Sequence, residues 1–492
     1  MRGRRAATRR PRGERSESPR PRASPSVNRP SNKKGEHFML SLSKSSALSA
    51  LFAALATLGL VAAPAATADA VVRTEVTIHS GDVRLRGMIY APAATGRRAP
   101  AVVMVDGAGP RTLDKTAGKA AEFARRGVVA LVYDKRTKGY SQTSRSFPAL
   151  AQDALAGVRL LRARPGVDPA RVGLWGFSEG GWVAPLAASR SPEVAFLVTV
   201  GAGGHSPERV QVWSNANFLA HAGVTGARIR PLAVNLTRVM VGAGLFGASG
   251  HEPAPVLARV HQPVLALWGE HERSVPAADS SKIFAATLRA AGNPSHTIKI
   301  LPGADHGLMQ SPDGFAESDR FVPGYFDLVT SWIHGLGDPP ASSADAPPRQ
   351  DLAAEPVTPL AWWESVPVQL GALVVLLAAF AGYPVAALIR RRRGAAGDVR
   401  WPALLAGTGL VTVLGTVLYL GYLLATAARE PGPVVAGRPV VWLVLQVLAV
   451  AAAVATVGTA LTLRRTGGAG RLALTGGVLL IGWAAYWGLF VP

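Results

Sequence analysis

Gly176-Phe177-Ser178-Glu179-Gly180 decides how this chain is read. These five residues follow a short apolar, β-rich run, Arg171-Val172-Gly173-Leu174-Trp175. They precede residues 181–190, rich in Ala, Leu and Trp at helix-compatible spacing. A serine between glycines, on a strand that turns directly into a helix, is the pattern of an exposed nucleophile. Small neighbours let the backbone bend sharply enough to present the hydroxyl. The bare G-x-S-x-G string is common by chance, so the segments around it carry the reading.

Two further pieces come in order. The strand-like run Leu265-Ala266-Leu267-Trp268-Gly269 leads into Glu270-His271-Glu272-Arg273-Ser274-Val275-Pro276. A second run, Thr297-Ile298-Lys299-Ile300-Leu301, leads into Pro302-Gly303-Ala304-Asp305-His306-Gly307. Each candidate side chain thus falls just past the carboxyl end of an expected strand, where open α/β sheets place their sites. A serine hydroxyl is a weak nucleophile until an imidazole accepts its proton, and the imidazole needs a carboxylate to fix its tautomer. Ser178 is the candidate nucleophile and His306 the candidate base. Glu272 is the favoured acid, from its place two residues before the Ser274-Val275-Pro276 turn; Glu270 is its rival. An oxyanion hole needs two backbone amides, one from the residue after the nucleophile, Glu179. The other is expected from Ala108 in Asp106-Gly107-Ala108-Gly109-Pro110, after the run Ala101-Val102-Val103-Met104-Val105. That loop also spells part of a dinucleotide fingerprint, but the third glycine is missing at the needed spacing.

Together these residues resemble the α/β-hydrolase superfamily, in its bacterial esterase and serine-aminopeptidase-like branch, over roughly residues 71–336. The resemblance is carried by Asp106-Gly107-Ala108-Gly109-Pro110, Val132-Tyr133-Asp134-Lys135-Arg136, Gly176-Phe177-Ser178-Glu179-Gly180-Gly181-Trp182, and the acid and histidine turns. It implies a mostly parallel sheet with helices on both faces, a helical lid, and serine hydrolase chemistry. Three positions depart from the pattern. Asp106 stands where the family usually has histidine, Thr137 where a glycine is common, and Glu272 where aspartate is more frequent. A longer carboxylate can still orient an imidazole, whereas Asp106 adds negative charge beside the expected oxyanion.

Composition bounds the rest. The 492 residues suffice for two or three domains, and the absence of cysteine excludes disulfides and thiolate chemistry. A net charge of +22 suggests nucleic acid until it is located. Residues 1–38 carry +9 and residues 361–492 carry +7, which leaves +6 for everything between. The excess belongs to a basic leader and to membrane boundaries, so no nucleic-acid partner is expected. Residues 1–38 read as disordered. Residues 39–70 have the charged, apolar, small-residue order of a signal peptide. Its n-region is far too long if Met1 is used, so translation from Met39 is expected. An uncleaved anchor is the alternative, and either one exports the chain from residue 71 onward.

Residues 71–90 read as a two-stranded entry that turns at Ser80-Gly81-Asp82. Helices are expected over 114–126 and 150–164, and a strand over 194–200. Residues 203–258 break the strand–helix alternation with helix-like runs at 210–221 and 229–241, where a lid belongs. Gly242-Ala243-Gly244-Leu245-Phe246-Gly247 spells G-x-G-x-x-G, but no strand precedes it, so a bend between lid helices is the better account. The lid's Trp213, Phe218, Leu245 and Phe246 either line an acyl pocket or pack on the core. Residues 337–361, rich in Pro, Ala and Ser, read as a linker.

From residue 362 the composition changes. Residues 366–389, 402–428, 440–463 and 472–491 are apolar and uncharged, each near or above the roughly 20 residues that cross a bilayer. Trp362, Trp363, Trp401, Trp442 and Trp487 lie near the expected ends, as interfacial aromatics do. Arg390 to Arg393 with Arg400, and Arg464, Arg465 and Arg471, mark the first and third loops as cytoplasmic. That puts residues 71–336 outside, as the signal peptide does independently. The expectation is a multi-pass membrane protein with an extracytoplasmic serine hydrolase domain that cleaves small-molecule esters. The bilayer is its partner, and it needs no cofactor or metal. An amidase or aminopeptidase is the near alternative. A degenerate domain used as a membrane-tethered binding or sensing module is kept open by Asp106. Transport is disfavoured, since the spans lack the ionisable residues that mark ion paths.

Overall fold

Apolar alternation builds the sheet from one edge inward. The computed structural model describes residues 70–491, apart from 94–95, 142, 227–229 and 395–399. The leader and, but for Ala70, the signal peptide lie outside the described residues. Strands β1 (Val71–Ser80) and β2 (Val83–Pro92) form the expected antiparallel entry, turning at Gly81 with φ +60. Next come β3 (Ala99–Val105), β4 (Val129–Tyr133), β5 (Val167–Phe177), β6 (Leu197–Val200), β7 (Val264–Gly269), β8 (His296–Leu301) and the two-residue β9 (Ser343–Ala344). The sheet order is β1-β2-β4-β3-β5-β6-β7-β8-β9. β2 meets β4 antiparallel, and every later pair is parallel.

Parallel strands need crossovers, and helices supply them. In chain order they are α1 (Asp114–Arg125), α2 (Phe147–Arg162), α3 (Gly180–Ala188), α4 (Pro207–His221), α5 (Leu236–Gly242), α6 (Pro253–Leu257), α7 (Ala277–Ala290) and α8 (Tyr325–His334). The period-two pattern of β3 sorts them. Ala101, Val103 and Val105 join one apolar cluster with α2, α3, α6 and α7. Val102 and Met104 join the other with α1 and α8. Both faces are covered, so the inner strands read as unbroken apolar runs. Helix α2 starts before the expected residue 150, because Ser146 accepts a hydrogen bond from the Ala149 amide and Pro148 occupies the first turn.

Residues 203–258 contain no strand among the described residues. They form α4, a π-helical turn (Arg230–Asn235), α5 and α6. Residues 338–361 run back across the sheet domain. β9 extends β8, Lys299 pairs with Asp345 at 2.9 Å, and Trp213 Nε1 donates to the Leu352 carbonyl at 2.8 Å.

Beyond this segment lie four helices, each long and apolar enough to cross a membrane: α9 (Val366–Arg392), α10 (Arg400–Ala425), α11 (Val440–Leu461) and α12 (Leu463–Tyr486). Helix α12 is interrupted at Gly467 (φ 62, ψ −150), and α10 stops at Ala425, ahead of Ala427 and Ala428 at positive φ. Large apolar side chains such as Val374, Leu418, Val447 and Val478 face outward. The inner face shares one apolar cluster with the lid, in which Leu219, Val224, Leu232 and Leu236 lie with Tyr419, Trp442, Trp483 and Trp487. Asn235 Nδ2 donates to the Tyr486 carbonyl at 3.0 Å, and the Thr225 amide to the Gly437 carbonyl at 3.2 Å. The lid therefore sits on the end of the bundle where α10 and α12 finish, opposite the arginine-rich ends.

Candidate active site

Ser178 stands at the tip of a strained turn between β5 and α3. Its φ is +54, a left-handed value that a non-glycine residue adopts only where its surroundings impose it. They do so here because α3 approaches β5 and β3 too closely for side chains on the flanking residues. A Cβ on Gly176 would lie 2.2 Å from the Gly180 carbonyl oxygen, and one on Gly180 2.0 Å from that of Val105. The Ser178 amide donates to the Val200 carbonyl at 2.9 Å, which ties the turn to β6.

The acid and the histidine come from the ends of β7 and β8, which pair in register from Val264–His296 to Gly269–Leu301. Glu272 is fully buried. Its Oε1 accepts from the amides of Ser274 (2.7 Å) and Val275 (3.1 Å), and its Oε2 lies 2.7 Å from His306 Nδ1. A carboxylate on Nδ1 holds the proton there and leaves Nε2 as acceptor. The rival Glu270 is half exposed and accepts from the Gly303 amide at 2.9 Å, away from the imidazole. Asp305 shapes the histidine turn by accepting from the amides of Gly307 and Met309, each at 2.8 Å. Burial holds the Asp305 carboxyl above the usual carboxylate range, against those two bonds.

The imidazole comes to the elbow. Its ring centroid is 5.0 Å from that of Phe177, and a Cβ on Gly201 would lie 2.8 Å from its Nδ1 and Cε1, so only glycine fits there. Among the described residues no hydrogen bond joins Ser178 Oγ to His306. Catalytic hydrogen bonds often tighten only once substrate is bound.

The two expected oxyanion amides stand apart from their neighbours. The Gly107 amide donates to Asp106 Oδ1 at 2.7 Å and the Gly109 amide to Tyr140 Oη at 3.0 Å. The Ala108 amide between them, and the Glu179 amide, have no acceptor among the described residues. Gly107 places this loop against the nucleophile, since its Cβ would come 3.4 Å from Ser178 Cβ. The second oxygen of Asp106, Oδ2, is buried without a partner among the described residues. Its charge is offset by Lys119 and Lys135, both of which it draws toward the protonated form while burial holds them below the ordinary lysine range.

Sequence reasoning missed the polar cluster behind the elbow. The Glu179 side chain, 1% exposed, takes Lys135 Nζ and Tyr140 Oη at 2.8 Å each and Arg145 Nη1 at 3.4 Å. Lys135 also donates to the Gly107 carbonyl, so one ammonium bridges the two candidate oxyanion segments. Arg136 makes a two-pronged pair with buried Asp153, both bonds 2.6 Å, that pins β4 to α2. Asp134-Lys135-Arg136 is visible as a motif. Tyr140 and Arg145 carry no sequence signal, because they reach the site from a loop.

The model of the X-Pro dipeptidyl-peptidase (S15) family matches residues 80–285, a stretch that contains Ser178 and Glu272 and ends before His306. An uncharacterized protein of Mycobacterium tuberculosis (H37Rv) is 28% identical over 242 residues, 49% of this chain and 74% of that protein. Esterase EstD of Thermotoga maritima is 29% identical over 253 residues, 47% of this chain and 59% of that esterase. Among solved structures, the carboxylesterase EstE1 from a metagenomic library aligns with a TM-score of 0.38 and 19% identity, over 55% of this chain and 90% of that one.

Proposed function

We propose, for a chain that belongs to the α/β-hydrolase superfamily, a membrane-anchored serine hydrolase that cleaves carboxylic esters through an acyl-enzyme. One observation carries this reading: buried Glu272 holds His306 Nδ1 at 2.7 Å beside the strained serine turn. Ser178 Oγ attacks the ester carbonyl carbon while His306 Nε2 takes its proton. The tetrahedral oxyanion is held by the Ala108 and Glu179 amides, which have no other acceptor among the described residues. Collapse breaks the bond to the alcohol, which leaves with the proton from Nε2. Water then repeats the cycle on the acyl group and frees Ser178. Glu272 stabilises the imidazolium in both halves.

Membrane anchoring is supported by the four apolar helices, and extracytoplasmic placement by the arginine clusters at the bundle end far from the sheet domain. Amide cleavage is the second reading, favoured by the S15 match.

The test is a fluorophosphonate probe on the purified full-length protein. Ser178 should be labelled, and Ser178→Ala should abolish labelling without unfolding the domain. A folded wild type that stays unlabelled refutes the nucleophile. Esters compared with aminoacyl amides then separate the two substrate classes.

A further inference from the structure

We propose that the cavity between the lid and the last turns of α10 is the acyl-chain site for a long-chain ester drawn sideways from the bilayer. This inference rests on the membrane-anchored serine hydrolase reading and names the substrate class for the same site.

The cavity measures about 430 Å³, within the span usual for small-molecule sites. One wall belongs to α10, through Gly421, Leu424 and Ala425; the other belongs to the lid, through Met240, Leu245 and Phe246. A space walled jointly by a membrane helix and a lid lies where the hydrocarbon region ends. Its rim carries exposed apolar side chains, Leu245 at 47% and Leu424 at 46%, while Thr143, Gln211, Asn215 and Thr237 add polar groups to the lining. In water such a rim is a liability, whereas toward a leaflet it is a doorway.

One charged side chain of the lining connects the cavity to the residue that follows Ser178. Arg145 is the one charged residue of its lining among the described residues, and its Nη1 reaches Glu179, the residue after Ser178. The inner wall is thus one side chain removed from the nucleophile turn.

The energetics favour a substrate that never leaves the apolar phase. Carrying a chain through water costs roughly fourfold in equilibrium per methylene. Moving it from lipid to a contiguous apolar wall costs little, because lipid tails are as apolar as leucine. Short, water-soluble esters have no need of the cavity.

The test uses full-length protein in phosphatidylcholine vesicles, with 4-methylumbelliferyl palmitate in the bilayer and 4-methylumbelliferyl acetate in the buffer. Gly421 lines the cavity and a Cβ there would meet nothing within 4 Å, so Gly421→Leu should fold and narrow it. The variant is expected to lose at least about tenfold on the palmitate while the acetate rate stays within about twofold. Equal losses on both esters, or an undiminished palmitate rate, overturn the proposal. A second measurement does not depend on that variant. A hexadecyl fluorophosphonate carrying a diazirine at the chain end should label Ser178 and, on illumination, crosslink to residues 421–427 or 240–246. Labelled Ser178 with crosslinks elsewhere refutes the acyl site alone. A wild type that neither takes the probe nor cleaves the acetate refutes the hydrolase reading, and the acyl site falls with it.

Discussion

Glu272 uses its two oxygens for two tasks. Oε1 is fixed by the Ser274 and Val275 amides, and that frees Oε2 to point at His306. The extra methylene relative to aspartate is accommodated because the turn folds back onto the carboxylate. In the proposed mechanism, Glu272→Gln keeps the shape but removes the charge that stabilises the imidazolium and fixes its tautomer. It should lower kcat by about 10³- to 10⁴-fold with KM little changed. Steady-state kinetics on any cleaved ester check this, and a loss below about tenfold would exclude Glu272 as the acid. The negative charge of Asp106 is not isolated beside the serine turn. One of its oxygens is bound by Gly107, and its charge lies near Lys119 and Lys135.

At the scale of elements, the lid is held in its second half by groups that a propensity reading cannot see. Arg238 of α5 reaches the Thr358 and Pro359 carbonyls and makes a two-pronged pair with Glu364. The loop between α5 and α6 rests on His251, whose ring meets Phe147 edge-on at 5.0 Å and whose Nε2 is buried without a partner among the described residues. Burial, aided by Arg190, pulls the His251 pKa down from 6.5 to about 4. A depressed folded-state value means the unfolded chain binds the proton first. The stabilisation from keeping this ring neutral is complete above pH 6.5 and erodes as pH falls toward about 4. The wild-type Tm should therefore drop across that window more steeply than that of His251→Phe. Parallel pH–Tm curves for the two proteins would show that the ring plays no such part.

For the whole molecule, the packing of lid on bundle makes the sheet domain and the helices depend on each other. Leu219, Val224, Leu232 and Leu236 are buried in a cluster completed by α10, α11 and α12. Removing the bundle uncovers them, at about 1.5–3 kcal/mol for each large side chain fully exposed. Residues 71–361 produced alone should self-associate on size exclusion, while the full chain in detergent runs as a single species. A monodisperse, equally stable fragment would show that the lid does not need the helices. The segment over 338–361 reinforces the coupling, since Gln350 donates to the Glu272 carbonyl at 2.9 Å and accepts from the Ala278 amide at 2.9 Å.

What the sequence determined by itself was everything with a local cause. Glycines at 176 and 180 are demanded by a turn that admits no Cβ, so the serine motif announced both the bend and the parallel sheet around it. Long uncharged runs announced the four apolar helices. The contact of Glu272, not Glu270, with His306 Nδ1 and the bonding of residues 338–361 to the acid turn required the tertiary structure. So did the gathering of Lys135, Tyr140 and Arg145 around Glu179, and the cavity that α10 shares with the lid. Each of these joins groups far apart in the chain, and the free energy that selects them exists only once packing excludes water and brings the partners within bonding distance.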